Sequence, residues 1–301
     1  MYAGASVAAA EYIAHNNIDV AINWMGGQTH ARRDCASGQS YVNDAVLCIL
    51  TLLRTFDRVL FINIDACHAS GVEEAFYTSD RVLFLSLHRL ADGFFPGSGG
   101  SADVGEGAGK YYNINLPVSD GLSDEGFAEL FDPVLKACAD RYQPQAVVCV
   151  ASPDVVAGDT AGCLNLSVAS FTKCVSDVLH LNIPTVFLGG LGHNAQLAAR
   201  AWCSATAAVC EVDIPNELPE QDGLDYFAPS YELEVSKVIM EDTNTTKSIT
   251  AARNAAMAAI QAIPQRAEPP PPSEPPPTSS EPAPTMASKD ENGGSTPQLH
   301  F

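Results

Sequence analysis

Five short apolar runs recur along the first 264 residues, and all of them are rich in Val, Ile, Leu and Phe without polar alternation. Runs of this kind are typical of strands that are buried on both faces, as in a parallel sheet. The pattern therefore predicts five strands, at residues 19–24, 58–64, 81–87, 146–152 and 184–190.

Amphipathic stretches lie between these runs and predict helices at residues 41–56, 124–142, 168–181 and 193–209. Before the second of these helices, Ser123 can act as a cap, and Asp124 suits the first turn. Pro133 is expected to kink that helix or to split it in two. The alternation of strand and helix predicts an α/β domain with a mainly parallel central sheet flanked by helices.

The composition of the chain changes sharply near Pro264. Residues 265–301 are rich in proline and have almost no apolar side chains to bury, so we expect a disordered tail that is locally polyproline II. Its PPPP and PPP runs could dock on an SH3 or WW domain, although a tail without a partner is the favoured interpretation. The predicted folded domain covers residues 1–264, and the predicted tail covers residues 265–301.

The chain is strongly acidic, with 36 acidic and 16 basic side chains and a formal net charge of −20. Such a surface repels nucleic acid, so we expect no direct nucleic-acid contact, although a role in plain solubility explains the charge equally well. We expect no membrane association, since the sequence has no long apolar stretch and no secretory signal. The nine cysteines form no CxxC pair and fit a reducing compartment.

Candidate chemistry lies where the predicted strands end, which is where open parallel sheets bind their ligands. His30 follows the first strand, and Asp65 and Cys67 follow the second; Asp154 and His193 follow the fourth and the fifth. Singly, each has a plain explanation, because an aspartate can cap a helix and a cysteine can be a small buried hydrophobe. Together they predict one site at the carboxyl edge of the sheet.

Long segments of the sequence resemble class I histone deacetylases, which are zinc-dependent amidohydrolases of the arginase/deacetylase fold. The similarity runs from about Tyr2 to Ile263 and includes INWMGGQTHARRDCASG, YVNDAVLCIL, GVEEAFYTSDRV, FLGGLGHN and IPNELP. It implies a three-layer α/β/α architecture and hydrolysis of acetyl-lysine by zinc-activated water. It also implies acetylated histone tails or other acetyl-lysine proteins as partners, in the nucleus and also in the cytoplasm.

The stretch that resembles this family lacks the N-terminal third of the family's domain. We expect a misassigned start codon rather than a true fragment, because a fragment would leave one edge of the sheet uncovered and prone to aggregation.

By this resemblance, Asp65 and Asp154 match the two aspartates that bind zinc in the family, and Cys67 matches its histidine ligand. A thiolate is a competent zinc ligand, so one zinc ion, weakly bound, is the expected cofactor. His68 is a fallback ligand. Adjacent residues of an extended segment point apart, which favours Cys67 over His68.

Several catalytic positions depart from the family pattern. His30 matches the general base, but the histidine before it is replaced by Thr29, and His193 replaces the tyrosine that donates to the oxyanion. The two carboxylates that orient the family's histidines fall on Asn63 and Ser70. Losing an oxyanion donor lowers turnover roughly a hundred- to a thousand-fold. We therefore expect either a deacetylase of weak activity or an inactive deacetylase fold that serves as a scaffold or an acetyl-lysine binding module.

The substrate channel of the family is only partly retained. Phe95 matches one of the two aromatic walls that hold the lysine stem, whereas Gln39 stands where the other wall is aromatic. Gly38 keeps the family pattern and is a second expected substrate-binding residue. Ser86 lies at the family's monovalent-cation site, which implies a structural potassium ion. The arginines that bind inositol phosphate in corepressor-bound members are replaced here, so that partner is not expected.

Overall fold

A six-stranded sheet lies at the centre of the protein, whose computed structural model describes residues 1–16 and 18–265. The strands are β1 (Val20–Asn23), β2 (Val59–Ile64), β3 (Val82–Arg89), β4 (Asn113–Val118), β5 (Ala146–Ala151) and β6 (Thr185–Leu188). Their order is β1-β6-β5-β2-β3-β4, and every pairing is parallel. The predicted parallel sheet is confirmed.

The five predicted strands are all present, and β4 is the strand that the hydrophobic pattern missed. Its sequence, NINLPV, places two asparagines and a proline among three apolar residues. The strand still forms because it lies at the edge of the sheet, where a proline is tolerated.

Seven helices flank the sheet in the described part of the chain. They are α1 (Tyr2–His15), α2 (Asp44–Leu52), α3 (Ser70–Phe76), α4 (Asp124–Tyr142), α5 (Val168–Leu179), α6 (Ala195–Val209) and α7 (Thr246–Ala262). None of the helices within the described ranges is both long enough and apolar enough to span a bilayer.

Strand β2 shows why the apolar runs lack polar alternation. Val59 and Phe61 pack into a core with helices α1, α2 and α3, whereas Leu60 and Ile62 pack into a second core with helices α4 to α7. Because successive side chains of a strand point to opposite faces, a sheet covered on both faces needs apolar residues at every position. The two cores on opposite faces confirm the three-layer α/β/α architecture.

Helix α4 is continuous from Asp124 to Tyr142, so of the two expected effects of Pro133 the split is excluded, and the kink stays a prediction. Phe131 and Val134, on either side of the proline, are fully buried in the core, and this packing holds the helix together. The predicted cap is confirmed, since the Ser123 side chain accepts a hydrogen bond from the backbone N–H of Gly126.

The predicted tail lies outside the described residues except for Gln265, and its disorder stays a prediction. Its SH3- or WW-binding runs also lie outside the described residues.

Candidate active site

Two aspartates meet at the carboxyl edge of the sheet. Asp65 directly follows β2, and Asp154 lies in a short 3-10 turn, Pro153–Val155, that follows β5. Strands β2 and β5 are hydrogen-bonded neighbours whose last residues, Ile64 and Ala151, are in register. The parallel pairing therefore brings together two residues that are 89 positions apart in sequence.

Both aspartates are buried, with 1% of each residue exposed. The Asp65 carboxylate accepts a hydrogen bond from the backbone N–H of Cys67 at 2.6 Å, and Asp154 Oδ1 accepts one from Ala66 at 3.1 Å. Asp154 Oδ2 is buried and has no hydrogen-bond partner in the protein. Burial raises the pKa of both carboxyl groups, and the neighbouring Asp154 raises that of Asp65 further. A cation between the two would relieve this repulsion.

Cys67 lies next to this pair. Burial raises the pKa of its thiol well above the ordinary value, and the charges of Asp65 and Asp154 raise it further. Without a cation the thiol therefore stays protonated, and metal binding would have to release that proton.

The fit to a metal ion is partial. The carboxylate pair and its unpartnered oxygen suit a cation. However, no three His, Cys, Asp or Glu side chains in the described ranges are arranged to hold one. The predicted set of Asp65, Cys67 and Asp154 as zinc ligands stays a prediction.

The ring of His68 contacts residues other than the aspartate pair, although its Nε2 makes no hydrogen bond, and its role as a fallback ligand stays a prediction. Its Nδ1 lies 2.9 Å from the hydroxyl of Ser98, and its Nε2 faces Glu73 Oε1 at 3.4 Å. Both ring nitrogens thus face partners other than the aspartate pair, as the alternation of adjacent side chains predicts.

His30 is the buried imidazole of the site. Burial lowers its pKa to about 4, with a further contribution from His68, so the ring is neutral at physiological pH. Its Nδ1 is buried and has no hydrogen-bond partner, and the hydroxyl of Ser70 is likewise buried without one. A neutral imidazole can accept a proton, but one without a partner on its second nitrogen lacks a defined tautomer and has reduced basicity.

The start of helix α2 positions the His30 loop. The side chain of Asn43, which caps α2, donates hydrogen bonds to the carbonyls of Thr29 and Ala31 on either side of the histidine, each at 3.0 Å. The buried Asp44 carboxylate accepts bonds from the backbone of Gly27 and Gln28, just before it. Our sequence reasoning missed both residues, and the adjacent Asn-Asp pair at a predicted helix start was the available signal.

Two residues of the expected substrate channel contact His30. The rings of His30 and Phe95 meet edge to face with centroids 4.9 Å apart, and 43% of Phe95 is exposed. Gly38 has a positive φ of 53°, and a Cβ there would lie 2.8 Å from the His30 ring. A larger residue at position 38 would displace the imidazole. The structure thus brings Gly38 and Phe95 to the predicted base, while their role in substrate binding stays a prediction.

His193 lies at the rim, and Asp159 holds it. The His193 side chain is 48% exposed, and its Nδ1 lies 3.3 Å from Asp159 Oδ1. The other oxygen of Asp159 accepts hydrogen bonds from the backbone N–H groups of His193 and Asn194. Sequence reasoning missed Asp159, although its buried carboxylate orients the loop that leads into α6.

Asn63 and Ser86 form part of a buried hydrogen-bond network. Asn63 Nδ2 donates to the carbonyl of Cys67 and to the hydroxyl of Ser86, both at 3.1 Å. Ser86 Oγ also lies 2.9 Å from His88 Nδ1. The amide of Asn63 thus occupies one of the two lone pairs of Ser86 Oγ, and the expected potassium ion stays a prediction.

Comparison with known proteins identifies the relatives of this site. The family model of the histone deacetylase domain matches residues 1–209. Histone deacetylase 6 of Arabidopsis thaliana is 44% identical over 261 residues, which are 87% of this chain and 55% of that protein. Histone deacetylase 1 of Homo sapiens is 44% identical over 244 residues, which are 81% of this chain and 50% of that protein. The chain spans about half the length of these curated relatives.

Proposed function

The chain belongs to the histone deacetylase family, and from that premise we propose that it is a lysine deacetylase with weak activity toward acetyl-lysine. The observation that carries this proposal is the buried pair Asp65 and Asp154, one of whose oxygens has no hydrogen-bond partner. A neutral His30 follows β1 at the same edge of the sheet. A buried, repelling carboxylate pair without a structural counter-charge is typical of a functional site rather than of a stabilising one.

Zinc is the proposed cofactor, held by Asp65 and Asp154 with Cys67 as the third donor. When bound, it would supply a Lewis acid that lowers the pKa of a water molecule. His30 would accept a proton from the nucleophile, since its low pKa keeps it unprotonated at physiological pH. Phe95 and Gly38 would confine the substrate stem and the base.

Three features account for the proposed weak activity. The Nδ1 atom of His30 has no hydrogen-bond partner, so no carboxylate fixes its tautomer or raises its basicity. The side chain of Asn63 is neutral and its amide donates to Cys67 and Ser86, so it supplies no carboxylate. His193 is half-exposed and its Nδ1 faces Asp159, so this imidazole is a poorer oxyanion donor than a phenol aimed at the site.

The proposed test compares two fluorogenic peptides, one with acetyl-lysine and one with trifluoroacetyl-lysine, whose activated carbonyl needs less help from an oxyanion donor. We expect slow turnover of the first, faster turnover of the second, and loss of both with a zinc chelator or with Asp65→Asn. His193→Tyr should raise acetyl-lysine turnover, by up to about a hundredfold if the missing donor is the limiting defect. Metal analysis of the purified protein should find zinc, and less zinc in Cys67→Ala.

A binding module that recognises acetyl-lysine without cleaving it is the second candidate. The observation that favours it is that His30 Nδ1 has no hydrogen-bond partner, while the ring still contacts the half-exposed Phe95. Binding of a labelled acetyl-lysine peptide without hydrolysis of either fluorogenic peptide would select this function. Robust, chelator-sensitive turnover of acetyl-lysine by the wild type would contradict the proposed impairment.

The proposed partners are acetylated histone tails or other acetyl-lysine proteins, with the nucleus as the main location and the cytoplasm as a second one. These follow from the family substrate, and fractionation of cells that carry a tagged full-length protein would test the location.

A further inference from the structure

Two buried histidines have no part in the proposed chemistry. His68 and His88 are completely buried, and their ring centroids are 4.6 Å apart. Burial lowers the pKa of His88 to about 3, so that ring is neutral. Buried imidazoles are expected to have hydrogen-bond partners, and the identity of those partners shows what the rings hold together.

A first series of hydrogen bonds runs through His88 and connects strand β2 to the loop 93–100. The carbonyl of Gly99, 3.0 Å from His88 Nε2, can only accept, so Nε2 carries the proton. The unprotonated Nδ1 then accepts from the Ser86 hydroxyl at 2.9 Å. Ser86 Oγ in turn accepts from Asn63 Nδ2 at 3.1 Å. The hydrogen bonds in this series therefore all donate in the same direction, from Asn63 to the carbonyl of Gly99.

A second series of contacts runs through His68, the residue after Cys67, and connects the loop 93–100 to Glu73. The Nδ1 atom of His68 lies 2.9 Å from Ser98 Oγ, and its Nε2 faces Glu73 Oε1 at 3.4 Å. That oxygen of Glu73 also accepts from Asn113 and Asn115 of strand β4. Ser98 is thus connected to α3 and β4 through His68 by one hydrogen bond and one longer polar contact, since His68 Nε2 makes no hydrogen bond.

Gly99 shows how closely the loop lies against the two rings. Its φ is +90°, and a Cβ built there would lie 2.4 Å from His88 Nε2 and 2.7 Å from His68 Cδ2. Four residues before it, Phe95 meets His30 edge to face. The loop that carries Phe95 is therefore fixed at Ser98 and Gly99 and contacts the proposed base at Phe95.

We propose that His68 and His88 are positioning residues that clamp the loop 93–100 and so hold Phe95 against His30 as the wall of the acyl-lysine slot. The proposal rests on the proposed function, because it assigns Phe95 to the substrate stem. The clamp itself is a property of the fold that can be measured without substrate.

The test uses two matched pairs of variants in the full chain. Ser98→Ala removes the hydroxyl that meets His68, whereas Ser98→Thr keeps a hydroxyl. Gly99→Ala drives a methyl group into both imidazoles. Gly93→Ala is its control, since Gly93 lies in the same loop with a φ of +74° but has no atom within 4 Å of a built Cβ. Both glycine variants carry similar backbone strain, and only one disturbs the clamp.

The first readout is amide hydrogen exchange by mass spectrometry over residues 93–100 and over strand β2. Ser98→Ala and Gly99→Ala should speed exchange in the loop by about tenfold, as expected for the loss of one hydrogen bond, with β2 unchanged. Ser98→Thr and Gly93→Ala should remain close to the wild type. Equal exchange in all four variants, or equal effects of the two glycine variants, would overturn the clamp.

The second readout is the KM for the trifluoroacetyl-lysine peptide and the Kd for a fluorescein-labelled acetyl-lysine peptide. Loosening the wall should raise both by about fivefold or more and change kcat less, because the wall binds the stem in the ground state and the transition state alike. Faster exchange in the loop with unchanged KM and Kd would refute the link to Phe95. If the wild type neither binds nor cleaves either peptide, the proposed function and the wall assignment fail together, while the exchange data still decide the clamp.

Discussion

Replacing Asp154 with asparagine should make the metal-free protein more stable, although it removes a proposed zinc ligand. In the wild type, Asp154 Oδ2 is buried without a hydrogen-bond partner, and the two carboxylates are close enough that Asp154 raises the pKa of Asp65. Asparagine keeps the acceptor that meets Ala66 N at 3.1 Å and places an N–H donor opposite the Asp65 carboxylate. A hydrogen bond to a charged group contributes about 1.5–3 kcal/mol, so we expect the free energy of unfolding to rise by about 2 kcal/mol near neutral pH.

The size of this effect should depend on pH. Burial and the neighbouring carboxylate raise the folded-state pKa of Asp65 above its ordinary value of 3.8, so the folded protein holds a proton that the unfolded chain releases. The corresponding stability is fully present below the ordinary pKa and is lost as the pH rises through the raised one. The advantage of Asp154→Asn over the wild type should therefore be smallest at acidic pH and largest at neutral pH.

Urea denaturation in the presence of a chelator measures this prediction. The stacked rings of Trp24 and Trp202, with centroids 6.0 Å apart, provide the fluorescence signal. Asp140→Asn, which neutralises an exposed aspartate of α4, is the control and should leave the unfolding midpoint unchanged. Added zinc should then stabilise the wild type and not Asp154→Asn. A variant that is less stable than the wild type in chelator at neutral pH would refute the reasoning about the carboxylate pair.

Three further predictions concern stability. Asn63→Asp should lower the free energy of unfolding by about 3 kcal/mol, because a buried carboxylate would face the Ser86 hydroxyl and a backbone carbonyl without a counter-charge. Added potassium should restore part of the lost stability. Equal urea midpoints with and without potassium would argue against this. Arg200→Lys should lower the free energy of unfolding by about 2 kcal/mol in the same assay. The buried guanidinium donates to three backbone carbonyls that an ammonium group cannot reach together. An unchanged urea midpoint would contradict this prediction. Truncation after Pro264 should leave the melting temperature nearly unchanged, because the removed residues have too little apolar surface to offset the entropy of ordering them. A drop of several degrees would show that they pack on the domain.

Most of the sheet could be predicted from the sequence because both of its faces are covered. Residues such as Val59 and Leu60 serve opposite cores, so the strands appear as unbroken apolar runs that local pattern detects. Strand β4 was missed for the converse reason. Asn113 and Asn115 are buried there because their side chains donate to Glu73, a partner that lies 40 residues before the first of them.

Helices α1, α3 and α7 were not predicted, and α3 has only seven residues. Helix α1, YAGASVAAAEYIAH, is rich in alanine, so its buried face differs little in hydrophobicity from its exposed one. Helix α7, TKSITAARNAAMAAIQA, is also rich in alanine but is as amphipathic as α2 and α4, and our sequence reasoning overlooked it. Their packing against α2 and α4 decides which face is buried.

Local patterns were enough to predict the α/β class, the order of most elements, the family and the positions that match or depart from the family's catalytic residues. These properties depend on hydrophobic period and on residue type at matched positions. The contacts of each replaced residue became visible in the folded protein alone. Asn63 supplies donors to Cys67 and Ser86, His30 is left without a partner, and His193 is held by Asp159. The physical reason is that hydrogen bonds, burial and charge repulsion depend on distances between residues that come from separate strands and loops, and those distances are set by the folding of the whole sheet.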